Sequence, residues 1–190
     1  MHPNYDPNHI SYDIALLKMA SPIDFKPNAI PICLPRPNLS FDGRTGVATG
    51  WGHLFDEEVL EDLGKSHPKY FNPKILREVQ LPIRSSEKCQ AIYRSIKQWY
   101  WKKGDYKNTK IPDVCICAGG RWLWSSARGG SKDTCVGDSG GPLVVKSNHG
   151  KRRFLLAGIT MGGMGECGEN PGIYTNVSKF TSWIIQNTDY

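Results

Sequence analysis

Spacing is what most limits how this chain can fold. Short apolar or alternating runs recur between turn formers: "DIALLKM" (13–19), "TGVATGW" (45–51), "ILREVQLPI" (75–83), "PDVCICAG" (112–119), "GPLVVK" (141–146), "RFLLAGIT" (153–160) and "PGIYTNV" (171–177). Regularly spaced short strands of this kind predict an all-β sandwich or barrel. The 20 glycines and 13 prolines among 190 residues suit a loop-rich β protein better than a helical bundle. A chain of this length makes one or two domains and buries roughly 70% of its unfolded surface. Residues 20–45 carry six prolines or glycines and read as an extended linker. Two stretches break the β pattern. Ser85 or Ser86 can cap "EKCQAIYRSI", with Cys89, Ile92 and Ile96 at helical spacing. Near the end, Ser178 can cap "SKFTSWIIQNTDY", where Phe180, Trp183 and Ile184 form an apolar packing stripe.

The chemistry concentrates in "SKDTCVGDSGGPLVV" at 131–145, where Gly137, Asp138, Ser139, Gly140 and Gly141 precede a proline and an apolar run. Glycines and a proline mark a turn, and a serine in a turn commonly bonds its own neighbours. A serine boxed in by this many glycines supports another use. The glycines free backbone N–H groups to point at a ligand beside an exposed hydroxyl.

Other features exclude more than they assign. The formal charge of +6 is modest, and its densest patches, 102–110 and 151–153, read as solvated loops. "WYW" at 99–101 reads as cover for a core edge rather than a base-stacking platform, so no nucleic-acid partner is expected. No apolar run approaches the roughly 20 residues needed to cross a bilayer, so no membrane partner is expected either. Cys115 and Cys117 stand too close for a zinc knuckle, and no metal site is expected. Six cysteines suggest a disulfide framework in an extracellular setting. Two sequons, Asn38-Leu39-Ser40 and Asn176-Val177-Ser178, are glycosylation acceptors if the chain is secreted. Its opening "MHPNYDPNHI" is polar, with no apolar region of the kind a signal peptide needs, which implies that an upstream portion is missing.

"DIALLKM", "ICLP", "ATGWG", "CICAG", "DTCVGDSGGPLV" and "NPGIYTNV", in this order, resemble the chymotrypsin/trypsin serine proteases from about residue 1 to 186. Longer loops than usual stand at roughly 53–74 and 119–131. The resemblance implies that Ser139 is the nucleophile, with the N–H groups of Gly137 and Ser139 as its oxyanion hole. It implies that Asp13 orients the catalytic histidine. Asp133 matches the carboxylate at the base of the primary specificity pocket, which selects Arg or Lys because a cation offsets the desolvation of the acid. Gly163 and Gly172 match the small residues that keep that pocket open. Cys135 with Cys167, and Cys89 with Cys117, match two family bridges. A third bridge would end at positions occupied here by Gly46 and Val145. Cys33 matches a cysteine that holds an upstream segment in multi-chain members, and is the candidate tether to such a chain. Cys115 has no counterpart, and on a strand it would share a face with Cys117 and compete for Cys89. A peptide or protein substrate, no cofactor and a secreted location are implied.

The match also has gaps. The family's histidine lies well upstream of its aspartate, whereas only twelve residues precede Asp13. His2, His9, His53, His67 and His149 read as ordinary surface histidines. No Ile/Val-type activated N-terminus is present to pair with Asp138, so a zymogen-like pocket is expected. Where the family reads Ser-Trp-Gly beside the substrate, this chain reads Met161-Gly162-Gly163. The expected architecture is therefore a double β-barrel protease cut short. Residues 1–45 form a remnant of the first barrel plus a linker, and 46–190 form a complete second barrel with a C-terminal helix. The leading reading is a truncated trypsin-like endopeptidase, inactive alone. Its rivals are a non-catalytic homologue that binds partners and an enzyme completed by another chain that supplies the histidine.

Overall fold

The computed structural model describes residues 1–7, 11–54, 73–100, 110–120, 132–148, 153–163 and 167–188, with the side chains of 95–100 excepted. Six antiparallel strands form a closed barrel: β1 (Thr45–Gly50), β2 (Arg77–Arg84), β3 (Cys115–Ala118), β4 (Pro142–Lys146), β5 (Phe154–Gly162) and β6 (Gly172–Asn176). Their order around the barrel is β1-β2-β3-β6-β5-β4, and β1 closes it against β4. Every expected run from 45 onward forms a strand, because alternation gives each one an apolar face and the barrel offers one interior to bury it. Phe41, Leu81, Ile83, Ile116, Leu143, Val145 and Tyr174 fill that interior together with Ala48, Ala118 and Ala157.

β3 is buried on both faces. Ile116 and Ala118 point into the barrel, while Cys115 and Cys117 join a second cluster with Cys89, Tyr93, Val177, Phe180, Ile184 and Ile14. This outer cluster lies under α1 (Ser86–Tyr100) and α2 (Thr181–Gln186). Ser85 caps α1, its Oγ accepting the Lys88 N–H at 3.4 Å. Asp42 accepts the Ser85 N–H at 3.2 Å and pairs with Lys88 Nζ at 2.5 Å, tying the helix start to the segment before β1. The disulfide Cys89–Cys117 then fastens α1 to β3. Cys115 therefore does not compete for Cys89, and stays a buried thiol. Gly46 and Val145 are ladder partners in β1 and β4, so the two positions implied for a third bridge do face each other.

Two local expectations are corrected. Residues 13–19 form no strand, since no described neighbour supplies a ladder. Ile14 is buried in the outer cluster while Leu17 is 91% exposed, so this run contributes one anchor rather than a face. Ser178 does not cap the last helix. It lies in a 3₁₀ turn (Val177–Lys179) that Asn176 caps, and α2 starts after Phe180 without a side-chain cap. The expected stripe survives, with Phe180 and Ile184 buried and Trp183 packed beside them.

The two unbridged cysteines should behave differently. Cys33 is exposed, whereas burial, reinforced by the charges of Asp113 and Asp13, pushes the Cys115 thiol up to about 12. Alkylation of the native chain at pH 8 is expected to modify Cys33 alone, with Cys115 reacting only after denaturant is added. Intact-mass and peptide mapping of the two samples decide it, and native labelling of Cys115 would show that the cluster opens.

Candidate active site

The loop ahead of β4 is shaped by glycine. Gly137 and Gly140 adopt φ of +93° and +79°, a region that side chains resist. Asp138 N–H donates to Cys135 O at 3.0 Å and Gly141 N–H to Asp138 O at 2.9 Å, closing a double turn. Gly140 N–H donates to Thr160 O at 2.8 Å and Thr160 N–H to Gly141 O at 2.9 Å, clasping the turn to β5. Ser139 is left exposed at the tip. Among the described residues, the N–H groups of Gly137 and Ser139 and the Ser139 hydroxyl have no hydrogen-bond partner. Two unsatisfied donors beside an exposed nucleophile can accept an oxyanion from outside.

Asp138 holds this loop to β1. Its Oδ1 accepts the Gly52 N–H at 2.8 Å and its Oδ2 accepts the Cys135 N–H at 3.0 Å. Charge-assisted bonds of this type are stronger than neutral ones. A Cβ at Gly50 or Gly52 would overlap the Asp138 carboxylate. The two glycines of "TGWG" are thus the seat of Asp138. In the sequence, the Gly-Trp-Gly pattern itself is the one sign of this role.

Asp133 lies at the end of β6 nearest Gly172. Its Oδ1 accepts the Thr134 N–H at 2.8 Å and its Oδ2 accepts the Gly168 N–H at 3.3 Å. A Cβ at Gly172 would stand 2.8 Å from Asp133 Oδ1, and one at Gly163 would stand 3.8 Å from Gly172 Cα. The structure thus brings Asp133, Gly172 and Gly163 together, and the Cys135–Cys167 disulfide ties the segments beside them. Burial pushes the Asp133 carboxyl up to about 6; the amides of Thr134 and Gly168 pull it down, and the charge of Asp138 adds to the rise. Behind it, Tyr174 shares a 2.9 Å hydrogen bond with Thr134 Oγ1, and burial raises the Tyr174 phenol as well.

Asp13 reaches the same region through β6, its carbonyl accepting from Thr175 Oγ1 at 2.7 Å. Thr175 pairs with Ile159, and Tyr174 pairs with the Thr160 that clasps Gly140. Adjacent rungs of one ladder therefore hold Asp13 and the residue after Ser139. A register shift between Thr160 and Gly162 bends β5 at Met161. The Met161 thioether lies 3.9 Å from Cys115 Sγ, so it packs on the cluster that holds Ile14.

Among the described histidines, His2 is not the ordinary surface residue expected. Its ring stacks on Tyr12 at 5.0 Å and packs on Trp183 at 4.8 Å and Phe180 at 5.4 Å. Its Nδ1 accepts the Asn4 N–H at 3.2 Å, and desolvation, with the nearby N-terminal charge, lowers its basicity. His53 is held by its backbone, which donates to Val136 O at 2.8 Å. His9, His67 and His149 lie outside the described residues.

Two measurements follow from these carboxylates. Replacing Gly52 with Ala drives a methyl into Asp138 and should destabilise the chain by about 1–3 kcal/mol in urea titration. An unchanged midpoint would mean that Asp138 has a second seat. Asp133 binds its proton more tightly folded than unfolded, so between about pH 4 and 6 the folded state holds more protons. Stability should then fall as pH rises through that window, by at most about 3 kcal/mol before solvent screening. The slope should be absent from the D133N variant, with wild type and variant compared across that range.

Comparison with known proteins matches this arrangement. The family model described as trypsin matches residues 1–184. Serine proteinase stubble of Drosophila melanogaster is 37% identical over 189 residues, covering 98% of this chain and 20% of that protein. Kallikrein 1-related peptidase b1 of Mus musculus is 35% identical over 178 residues, covering 92% of this chain and 52% of that protein. Coagulation factor XI of Bos taurus is 34% identical over 191 residues, covering 99% of this chain and 25% of that protein. The chain thus spans about half the length of the kallikrein relative and a quarter or less of the other two. A closed six-stranded barrel with a short C-terminal helix, two disulfides and a family match over nearly the whole chain make one conclusion: this chain belongs to the trypsin family of serine proteases.

Proposed function

We propose that this chain carries the nucleophile, oxyanion hole and specificity pocket of a trypsin-like endopeptidase that cuts peptides after Arg or Lys, and that it is inactive by itself. The observation that carries the reading is the exposed Ser139 beside two N–H donors with no acceptor among the described residues, on the same loop as the largely buried carboxylate of Asp133. In this reading Ser139 Oγ attacks the carbonyl carbon of the scissile peptide. The carbonyl oxygen takes up the negative charge, and the Gly137 and Ser139 N–H groups stabilise it. The amine leaves with a proton, and water then releases the acid from the Ser139 ester. Asp133 holds the Arg or Lys side chain on its N-terminal side, with Gly163 and Gly172 leaving room for it. Asp13 orients an imidazole and stabilises its cation.

That imidazole is the missing part. No histidine of the chain follows the family's context, and His2 is committed to the Tyr12–Trp183 aromatic cluster. Without a general base, turnover falls by on the order of 10⁶, leaving about 10³–10⁴ over water from the oxyanion hole. Residues 1–45 act as remnant and linker beside the 46–190 barrel, and Cys33, exposed and unbridged, serves as the tether to an upstream chain. Two disulfides and secreted-type cysteine usage support an extracellular location. A second reading, a non-catalytic homologue that binds partners, is favoured by Met161, whose thioether packs on Cys115 where a serine hydroxyl would face Asp13.

The pocket can be tested without turnover. Benzamidine, a small amidinium, should bind the purified chain through Asp133. Its affinity should fall about tenfold between pH 7.5 and 5, as a carboxyl near 6 gains its proton, and should be lost in D133N. Calorimetry at the two pH values checks this, and pH-independent binding would overturn the Arg/Lys assignment. A serine-directed fluorophosphonate should leave Ser139 unlabelled. Stoichiometric labelling would defeat the claim of inactivity.

A further inference from the structure

The two sequons are equivalent as strings but not in the fold. Asn176 ends β6 and is only 8% exposed. Its Oδ1 accepts from both the N–H of Ser178, at 3.2 Å, and the Ser178 hydroxyl, at 2.9 Å. Ser178, the hydroxyl residue of that sequon, is itself 1% exposed. A sugar on Asn176 would have to leave through the packed end of the barrel, where both Asn176 and Ser178 are buried.

Asn38 is the opposite case. It is exposed and occupies the third position of a turn closed by the Leu39 N–H on Arg36 O at 3.2 Å. Pro37 precedes it, and its φ of +58° is the left-handed value that a type II turn requires there, which Asn tolerates better than most residues. The turn is pinned on both sides, by Asn38 N–H to Ser178 O at 2.9 Å and by Lys179 Nζ to Asn38 Oδ1 at 3.1 Å. Only the side-chain oxygen is engaged. The amide nitrogen Nδ2 has no acceptor among the described residues, and Ser40 is exposed two residues on.

We infer that Asn38 is an N-glycosylation site of the folded protein and that Asn176 is not. This rests on the extracellular reading above. The donor is an oligosaccharide linked to a lipid pyrophosphate. The Asn38 Nδ2 forms a bond to the anomeric carbon, the bond from that carbon to the pyrophosphate oxygen breaks, and the amide proton passes to a base of the transferase. The turn touches the 3₁₀ turn that follows Asn176, whereas Gly172 and Asp133 mark the other end of β6, about 13 Å away at 3.3 Å per residue. A glycan at Asn38 is therefore attached at the opposite end of β6 from Asp133.

The test is to translate the full chain behind a secretory leader with microsomes. Protease protection reports entry, and peptide N-glycosidase in heavy-oxygen water followed by peptide mapping locates the sugar. Protected chain with both disulfides formed should carry one glycan, on Asn38. N38G keeps the left-handed turn without the acceptor, and S40A removes the required hydroxyl. Both should lose the glycan while keeping protection and both disulfides. Protected, disulfide-bonded chain with a bare Asn38, or with sugar on Asn176, overturns the inference. The extracellular reading fails on a separate readout: reduced Cys89, Cys117, Cys135 and Cys167 in protein taken from its native source.

Discussion

Closure of the sheet is the constraint on which everything else depends. Pairing of β1 with β4 through Gly46–Val145, Val47–Val144 and Ala48–Leu143 turns an open six-stranded sheet into a barrel. That single seam removes both raw edges and creates one interior, into which Phe41, Leu143, Val145 and Tyr174 pack to less than 2% exposure. It also places the end of β1 beside the loop that enters β4. Gly52 and Cys135 can then share one carboxylate, Asp138. Without closure the loop carrying Ser139 would have no fixed partner.

The two acidic side chains flanking that loop illustrate how environment divides labour. Both Asp138 and Asp133 accept two backbone N–H groups. Asp138 spends its bonds joining β1 to the loop, with glycines 50 and 52 cleared to admit it. Asp133 lies against Gly172, where a Cβ would stand 2.8 Å from its Oδ1, and its burial outweighs the help of its two amides. A carboxylate in this condition gains most from an incoming cation, because the cation supplies what the lost water no longer does. The same residue type therefore makes one structural clamp and one desolvated acid, without any difference in chemical type.

Outside the barrel the chain is less self-contained. Leu17, Phe25 and Ile30 are 91%, 68% and 74% exposed, in a segment whose only buried anchors run through Ile14, Pro35 and a few half-buried neighbours. Residues 13–19 have strand composition and no strand, which follows directly from the ladder: a run of apolar alternation becomes a strand only where another backbone meets it. Met161 shows the same dependence at the scale of one side chain. Its sulfur settles against Cys115, and the bend in β5 that permits this comes from a register shift against β6.

Much of this was legible in the residues alone. Six of seven predicted runs became strands, since a short apolar run marks where a strand can bury a face and the barrel supplied each of the six with ladder partners. Both disulfides and the grouping of Asp133 with Gly163 and Gly172 were expected from the family motifs, and a cap at Ser85 or Ser86 from local pattern, of which the structure uses Ser85. Tertiary structure alone decided the rest. Which of two sequons is buried, where the Asp138 carboxylate rests, and that His2 belongs to an aromatic cluster all depend on groups far apart in sequence meeting at particular distances. Local pattern carries no record of such meetings, because they are consequences of barrel closure rather than of any neighbouring residue.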